Sequence, residues 1–100
     1  MRLSEQSVQA VKAAVQTAFP GHSKLLLFGS RVADDKRGGD IDLLVVSDVP
    51  RSAREAAKIN AIVKIQMALG EQKIDMVVTA DPALDTRPVV REAVRYGIEL

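Results

Sequence analysis

Cysteine and tryptophan are absent from this chain, and its 100 residues include only one tyrosine, two phenylalanines and one histidine. Without cysteine there can be no disulfide, thiolate nucleophile or cysteine-ligated zinc, a usage that fits a reducing compartment. So few aromatic rings leave no stacking platform of the kind that holds single-stranded nucleic acid. The formal net charge is +1, too small for a broad basic field, so direct nucleic-acid binding is not expected. No stretch approaches the ~18 consecutive apolar residues of a membrane span, and the opening MRLSEQSVQAVK has no apolar run of signal-peptide length. The expectation is a cytoplasmic protein without a membrane segment. Repeats, low-complexity tracts and linker-like stretches are also missing, so one domain over residues 1–100 is expected.

What is present suits a small globular unit. At 47% hydrophobic and 27% charged residues, the chain has enough apolar material for a core and is not of disordered composition. A chain of this length buries roughly 60–70% of the surface its unfolded form exposes, enough for one core.

The chain is organised around Leu25 to Val46, LLLFGSRVADDKRGGDIDLLVV. An apolar run ends at Gly29-Ser30, a charged loop follows, and a second apolar run begins with Asp40 and Asp42. Strand alternation points Asp40, Asp42, Leu44 and Val46 one way and Ile41, Leu43 and Val45 the other. The two carboxylates then lie about 6.5–7 Å apart along the backbone, a gap their side chains can close onto one cation. Alone at the head of an apolar strand they would repel, and one would tend to protonate. Gly29-Ser30 offers backbone N–H groups that can approach an anion and a hydroxyl that can donate to one. Phosphate and metal are expected at one site.

The pattern Phe28-Gly29-Ser30, then a loop, then Gly39 to Val46 (GDIDLLVV) resembles the signature of the DNA polymerase β-like nucleotidyltransferase superfamily. The short length makes the chain most similar to the minimal nucleotidyltransferases, usually paired with a HEPN-type partner in toxin–antitoxin modules. Two departures are visible: Gly39 stands where many members have serine, and the loop is shorter than the commoner form. The resemblance implies an α/β fold with a small mixed β-sheet covered by helices. It also implies Mg²⁺, one or two ions, held by Asp40, Asp42 and Asp75, which together form the catalytic set. The same resemblance has ATP or another nucleoside triphosphate gripped by Gly29, Ser30 and Arg31 beside Asp40 and Asp42. A HEPN-type helical toxin is the implied partner, bearing the hydroxyl that accepts the nucleotide. Homo-oligomerisation is left open. An alternative is an antitoxin that neutralises its partner by binding alone.

The rest of the chain supports this stretch. Ser4 caps a helix with Val8, Val11, Val15, Ala18 and Phe19 at helical spacing, ended by Pro20-Gly21. His22, in the following turn, reads as solvated and is left out of the site, as are Asp34 and Asp35 on the charged loop, whose Lys36 and Arg37 could steer a nucleotide. Ser52 and Glu55 have capping-box spacing and open a second helix, ended by Gly70, with Ala56, Ile59, Val63 and Met67 as its inner stripe and Ile62, Ile65 and Leu69 widening it. The excess width is either extra core or a surface for a partner. Lys73 to Val78 forms a third strand in which Asp75, amid apolar neighbours, needs a cation. Thr86 and Pro88 announce a last helix carrying Val89, Val90, Ala93 and Val94, with Arg87, Arg91 and Arg95 as a basic stripe suited to an acidic partner. Gly97 to Leu100 adds a short terminal strand. The element order predicts a sheet with its helices on one side.

Overall fold

The computed structural model describes residues 3–19, 21–29 and 40–100. Ser30, Arg31 and the loop 32–39, with Asp34, Asp35, Lys36, Arg37 and Gly39, lie outside the described residues, as does Pro20. The described elements are α1 (Glu5–Ala18), β1 (Lys24–Phe28), β2 (Ile41–Val46), α2 (Arg51–Leu69), β3 (Ile74–Thr79), α3 (Pro88–Tyr96) and β4 (Ile98–Glu99).

α1 starts where Ser4 accepts a hydrogen bond from the Ser7 N–H at 3.1 Å, satisfying one of the free donors of the first turn. Glu5 adds a negative charge at the positive end of the helix dipole. Val11, Ala14 and Val15 form its buried face.

The strands pair in the order β3-β2-β1-β4. β1 is antiparallel to β2, with Leu26 opposite Leu44 and Phe28 opposite Asp42. β2 and β3 are parallel, with Ile41 opposite Ile74 and Asp42 opposite Asp75, and a parallel pair needs a long crossover, which α2 supplies. The terminal strand expected at Gly97 to Leu100 is present: Ile98 pairs with Leu27, and the Leu100 N–H reaches the Leu25 carbonyl at 2.8 Å.

The expected alternation of β2 holds. Ile41, Leu43 and Val45 join Leu25, Leu27, Ile74, Met76 and Val78 beneath α1 and α2. Leu44 and Phe28, with Leu26, Val46 and Val77, face the other way and are covered by Val89, Val90 and Ala93 of α3. Helices therefore lie on both sides of the sheet, not on one. The reason is visible in the runs LLLF and LLVV, which are apolar on successive positions, so both sheet faces need cover.

α2 differs from expectation twice. It begins at Arg51, with Pro50 at the cap position and no side-chain cap, so the Ser52/Glu55 capping box does not form. The Ala53 N–H already bonds the Pro50 carbonyl at 2.9 Å, which places Ser52 inside the first turn. Its buried face is Ala57, Ala61 and Ile65, with Ile62 and Leu69 packed at the margin. Ile59, Val63 and Met67 are instead 54%, 47% and 81% exposed, and Ala56 is exposed too. At 100° per residue the buried row lies roughly 150° around the helix from the expected one. Two alanines let α2 approach α1 and the sheet closely, a use of small side chains that hydrophobicity ranking undervalues.

Candidate active site

Strand pairing assembles the site. β1 ends and β2 and β3 begin at the same edge of the sheet, so Gly29, Asp40, Asp42 and Asp75 meet there. Gly29 has φ +76, a backbone that L side chains rarely adopt. A Cβ there would also run into Oδ2 of Asp42. Glycine is thus required by conformation and by space, and the end of β1 is pressed against the Asp42 carboxylate.

Asp42 and Asp75 sit opposite each other on adjacent parallel strands, on the α3 side of the sheet by strand alternation. Asp42 is half-buried and Asp75 exposed. Burial pushes the Asp42 carboxyl above the ordinary aspartate range, and the charges of Asp75, Asp40 and Glu92, with a hydrogen bond shared with Asp75, push the same way. One residue outside this rung, Asp40 faces Lys73, whose Nζ lies 3.6 Å from Asp40 Oδ2. The Ile41 N–H to Lys73 carbonyl bond of 3.0 Å fixes the backbone of that rung. The geometry is a two-by-two array, with a carboxylate and an ammonium on the outer rung and two carboxylates on the inner.

The donor set is all oxygen, which suits a hard divalent cation, and such ions are commonly held by one or two carboxylates plus phosphate oxygens. Among the described residues no three acidic or histidine side chains converge on one point, so protein carboxylates alone would not complete a coordination shell. The structure therefore brings together Gly29, Asp40, Asp42 and Asp75 of the sequence-predicted set, while Ser30 and Arg31 fall outside the described residues.

Two neighbours were not singled out by sequence reasoning. Lys73 was detectable, because it lies two residues before Asp75 and so on the same strand face. Glu92 was not, because only the packing of α3 over Phe28 and Leu44 brings it near Asp42.

The opposite end of the sheet is built differently. Arg87 donates through Nη2 to the Val78 carbonyl at 2.8 Å and to Asp85 Oδ2 at 2.8 Å. Asp85 also accepts from the Arg87 N–H at 3.1 Å. Hydrogen bonds from Arg87, side chain first and then backbone, and from Thr79 hold the Asp85 carboxyl far below the ordinary range. Arg87 consequently stands at the α3 cap, tied down, and does not form a free stripe with Arg91 and Arg95; Arg95 lies over the Tyr96 ring at 5.4 Å. A surface cavity of about 790 Å³ opens between residues 82–86 and α3. It shares Glu92 with the surroundings of Asp42 but is lined by none of Gly29, Asp40, Asp42 or Asp75.

None of the described helices is long and apolar enough to cross a membrane. Comparison with known proteins finds a family model, described as nucleotidyltransferase domain, that matches residues 8–96. No curated protein matches the chain.

Proposed function

The chain belongs to the nucleotidyltransferase domain family, and on that premise we propose that it transfers a nucleoside monophosphate from a nucleoside triphosphate, ATP being the first to test, to a hydroxyl on a partner protein. The four-stranded mixed sheet and three helices of the described residues are consistent with the polymerase β-like nucleotidyltransferase fold in minimal form. Family membership supports nucleotidyl transfer as the class of reaction; the protein acceptor, the cation and the residue roles are this proposal's extension.

The observation that carries the proposal is the meeting of Asp42 and Asp75 on one rung, with Asp40 beside them and Gly29 pressed against Asp42. Repulsion among these carboxylates is relieved when a cation enters. In this reading Asp40 and Asp42 would hold Mg²⁺, and Asp75 would serve a second ion. Bound there, the metal supplies the positive charge that neutralises triphosphate and carboxylates together. Asp75, the most exposed of the set, accepts the proton of the acceptor hydroxyl. The hydroxyl oxygen bonds to the α-phosphorus, the bond from that phosphorus to the bridging oxygen breaks, and pyrophosphate leaves with the electron pair. Ser30 and Arg31 are assigned to the phosphates, alongside the N–H groups after Gly29.

The partner is assigned to the HEPN-type helical class on the family resemblance, which makes this chain the antitoxin of a toxin–antitoxin pair. A second reading, neutralisation by binding alone, is favoured by one feature: Ile59, Val63 and Met67 form an exposed apolar row along α2.

Intact-mass analysis of the product of the neighbouring gene separates the two. After incubation with this protein, Mg²⁺ and ATP, transfer adds one or more AMP units to the partner, and Asp40→Ala with Asp42→Ala removes the gain. Tight binding that survives both substitutions, with no mass gain from any ribonucleotide, would overturn the enzymatic reading in favour of binding alone.

A further inference from the structure

Lys73 has no place in the proposed chemistry so far, yet it is bonded to the site. Its ammonium lies 3.6 Å from Asp40 Oδ2, with the lysine side chain 73% exposed and the aspartate 38%. Lys73 lies two residues before Asp75 and Asp40 two before Asp42, so by alternation all four side chains share one sheet face. The lysine backbone is anchored, since its carbonyl accepts the Ile41 N–H at 3.0 Å. Only the flexible four-carbon stem is left to move.

The surroundings give this charge a purpose. Asp40, Asp42 and Asp75 lie together on two rungs, and Glu92 adds its field from α3. Lys73 is the cation that the described residues bring into an ion pair with this set. A water-exposed pair of this kind is weak and exchangeable, so it can be displaced by an ion of higher charge without large cost. A divalent cation on Asp40 would repel the ammonium, and the oxygens of a bound triphosphate would offer it strong, charged acceptors.

We propose that Lys73 is a built-in counter-cation: it neutralises Asp40 while no divalent cation is bound and, when one displaces it, carries its ammonium to a phosphate oxygen of the nucleotide. The inference rests on the metal-dependent reading of the site given above. It makes Lys73 a competitor of metal in the free protein and an ally of phosphate in the loaded one. These opposite effects are not those of a merely structural lysine.

The test is Mn²⁺ binding followed by electron paramagnetic resonance, without nucleotide, on the wild-type chain and on Lys73→Met, with Asp40→Asn as control. Lys73→Met should bind Mn²⁺ about two- to fivefold more tightly, the range expected for loss of an exposed ion pair, and the difference should shrink as salt is added. With Mn²⁺ saturating, the same variant should bind inorganic triphosphate more weakly by a similar factor, whereas Lys73→Arg should retain that binding. Circular dichroism and melting temperature check that Lys73→Met is folded. Equal or weaker Mn²⁺ binding by folded Lys73→Met, where wild type binds and Asp40→Asn does not, would overturn this inference alone. Absence of Mn²⁺ binding in the wild-type chain and in Lys73→Met, with inorganic triphosphate as well as without it, would overturn the metal-dependent reading and this inference with it.

Discussion

At one end of the sheet Asp42 is crowded by Asp75, Asp40 and Glu92 and partly buried, and its carboxyl is pushed up. At the other end Asp85 is held by Arg87, in an ion pair of 2.8 Å, and its carboxyl is pushed far down. Both residues are aspartates in the same small domain, so chemical type does not separate them; their company does. A carboxylate that the chain has already neutralised is part of the scaffold, here tying residues 85–87 to the end of β3 through the Val78 carbonyl. One left among like charges costs stability, and such a cost marks a functional site more often than an ornament of the fold.

The contrast can be broken most directly by activity. Asp42→Ala should lower nucleotidyl transfer at least about a hundredfold, the low end of what a positioned charged group contributes. Asp85→Ala should leave the rate per folded molecule nearly unchanged while lowering the melting temperature. Steady-state transfer assays with melting curves decide the matter, and equal losses of activity at the two ends would dissolve the comparison. A smaller but still large effect is expected from Gly29→Ala. The left-handed backbone should cost about 1–2 kcal/mol, and the added methyl displaces the Asp42 carboxylate, so transfer should fall with stability.

The pH dependence of stability sharpens the contrast further, because the two shifts have opposite sign. Asp42 has a folded value above its reference of 3.8, so it contributes stability at low pH that is lost as pH rises through the folded value. Asp42→Asn should therefore stabilise the metal-free protein at neutral pH, with the gain fading in acid. Asp85 has a folded value below 3.8, so its contribution is present above that reference and is lost as pH falls through the folded value. Asp85→Asn should destabilise at neutral pH and become harmless in strong acid. Melting curves in chelator across about pH 3 to 8 should show the two variants deviating in opposite directions. Destabilisation by Asp42→Asn at neutral pH would contradict the proposed crowding. Met67→Ala sets the baseline: at 81% exposure, it should change unfolding free energy by no more than about 0.5 kcal/mol in denaturant titration.

Legibility from sequence followed the range of the interactions. β1, the faces of β2 and the turn at Gly29 were readable because strand alternation and glycine's backbone freedom are local properties. β3 follows the same alternation, with Ile74, Met76 and Val78 on one side of the sheet and Val77 on the other. Capping at Ser4 was correct, but the Ser52 box was not, because α2 takes Pro50 as its cap and so starts two residues too early for it. The buried face of α2 was misread because its close contacts use Ala57 and Ala61, whose burial is set by the distance to neighbouring elements. The placement of α3 across the sheet from α1 and α2 was likewise not anticipated, although the unbroken apolar runs of β1 and β2 carried the signal.

By itself, then, the sequence determined the strands, the glycine turn and the pair of carboxylates at the head of β2, since these depend on a few neighbouring residues and the two-residue repeat of a strand. Only the tertiary structure decided which charges share a rung. The parallel pairing of β2 with β3 set Asp75 against Asp42 and Lys73 against Asp40, and α3 brought Glu92 near. Electrostatic company depends on distance through space, and Asp42 and Asp75, far apart along the chain, become neighbours only when the strands close.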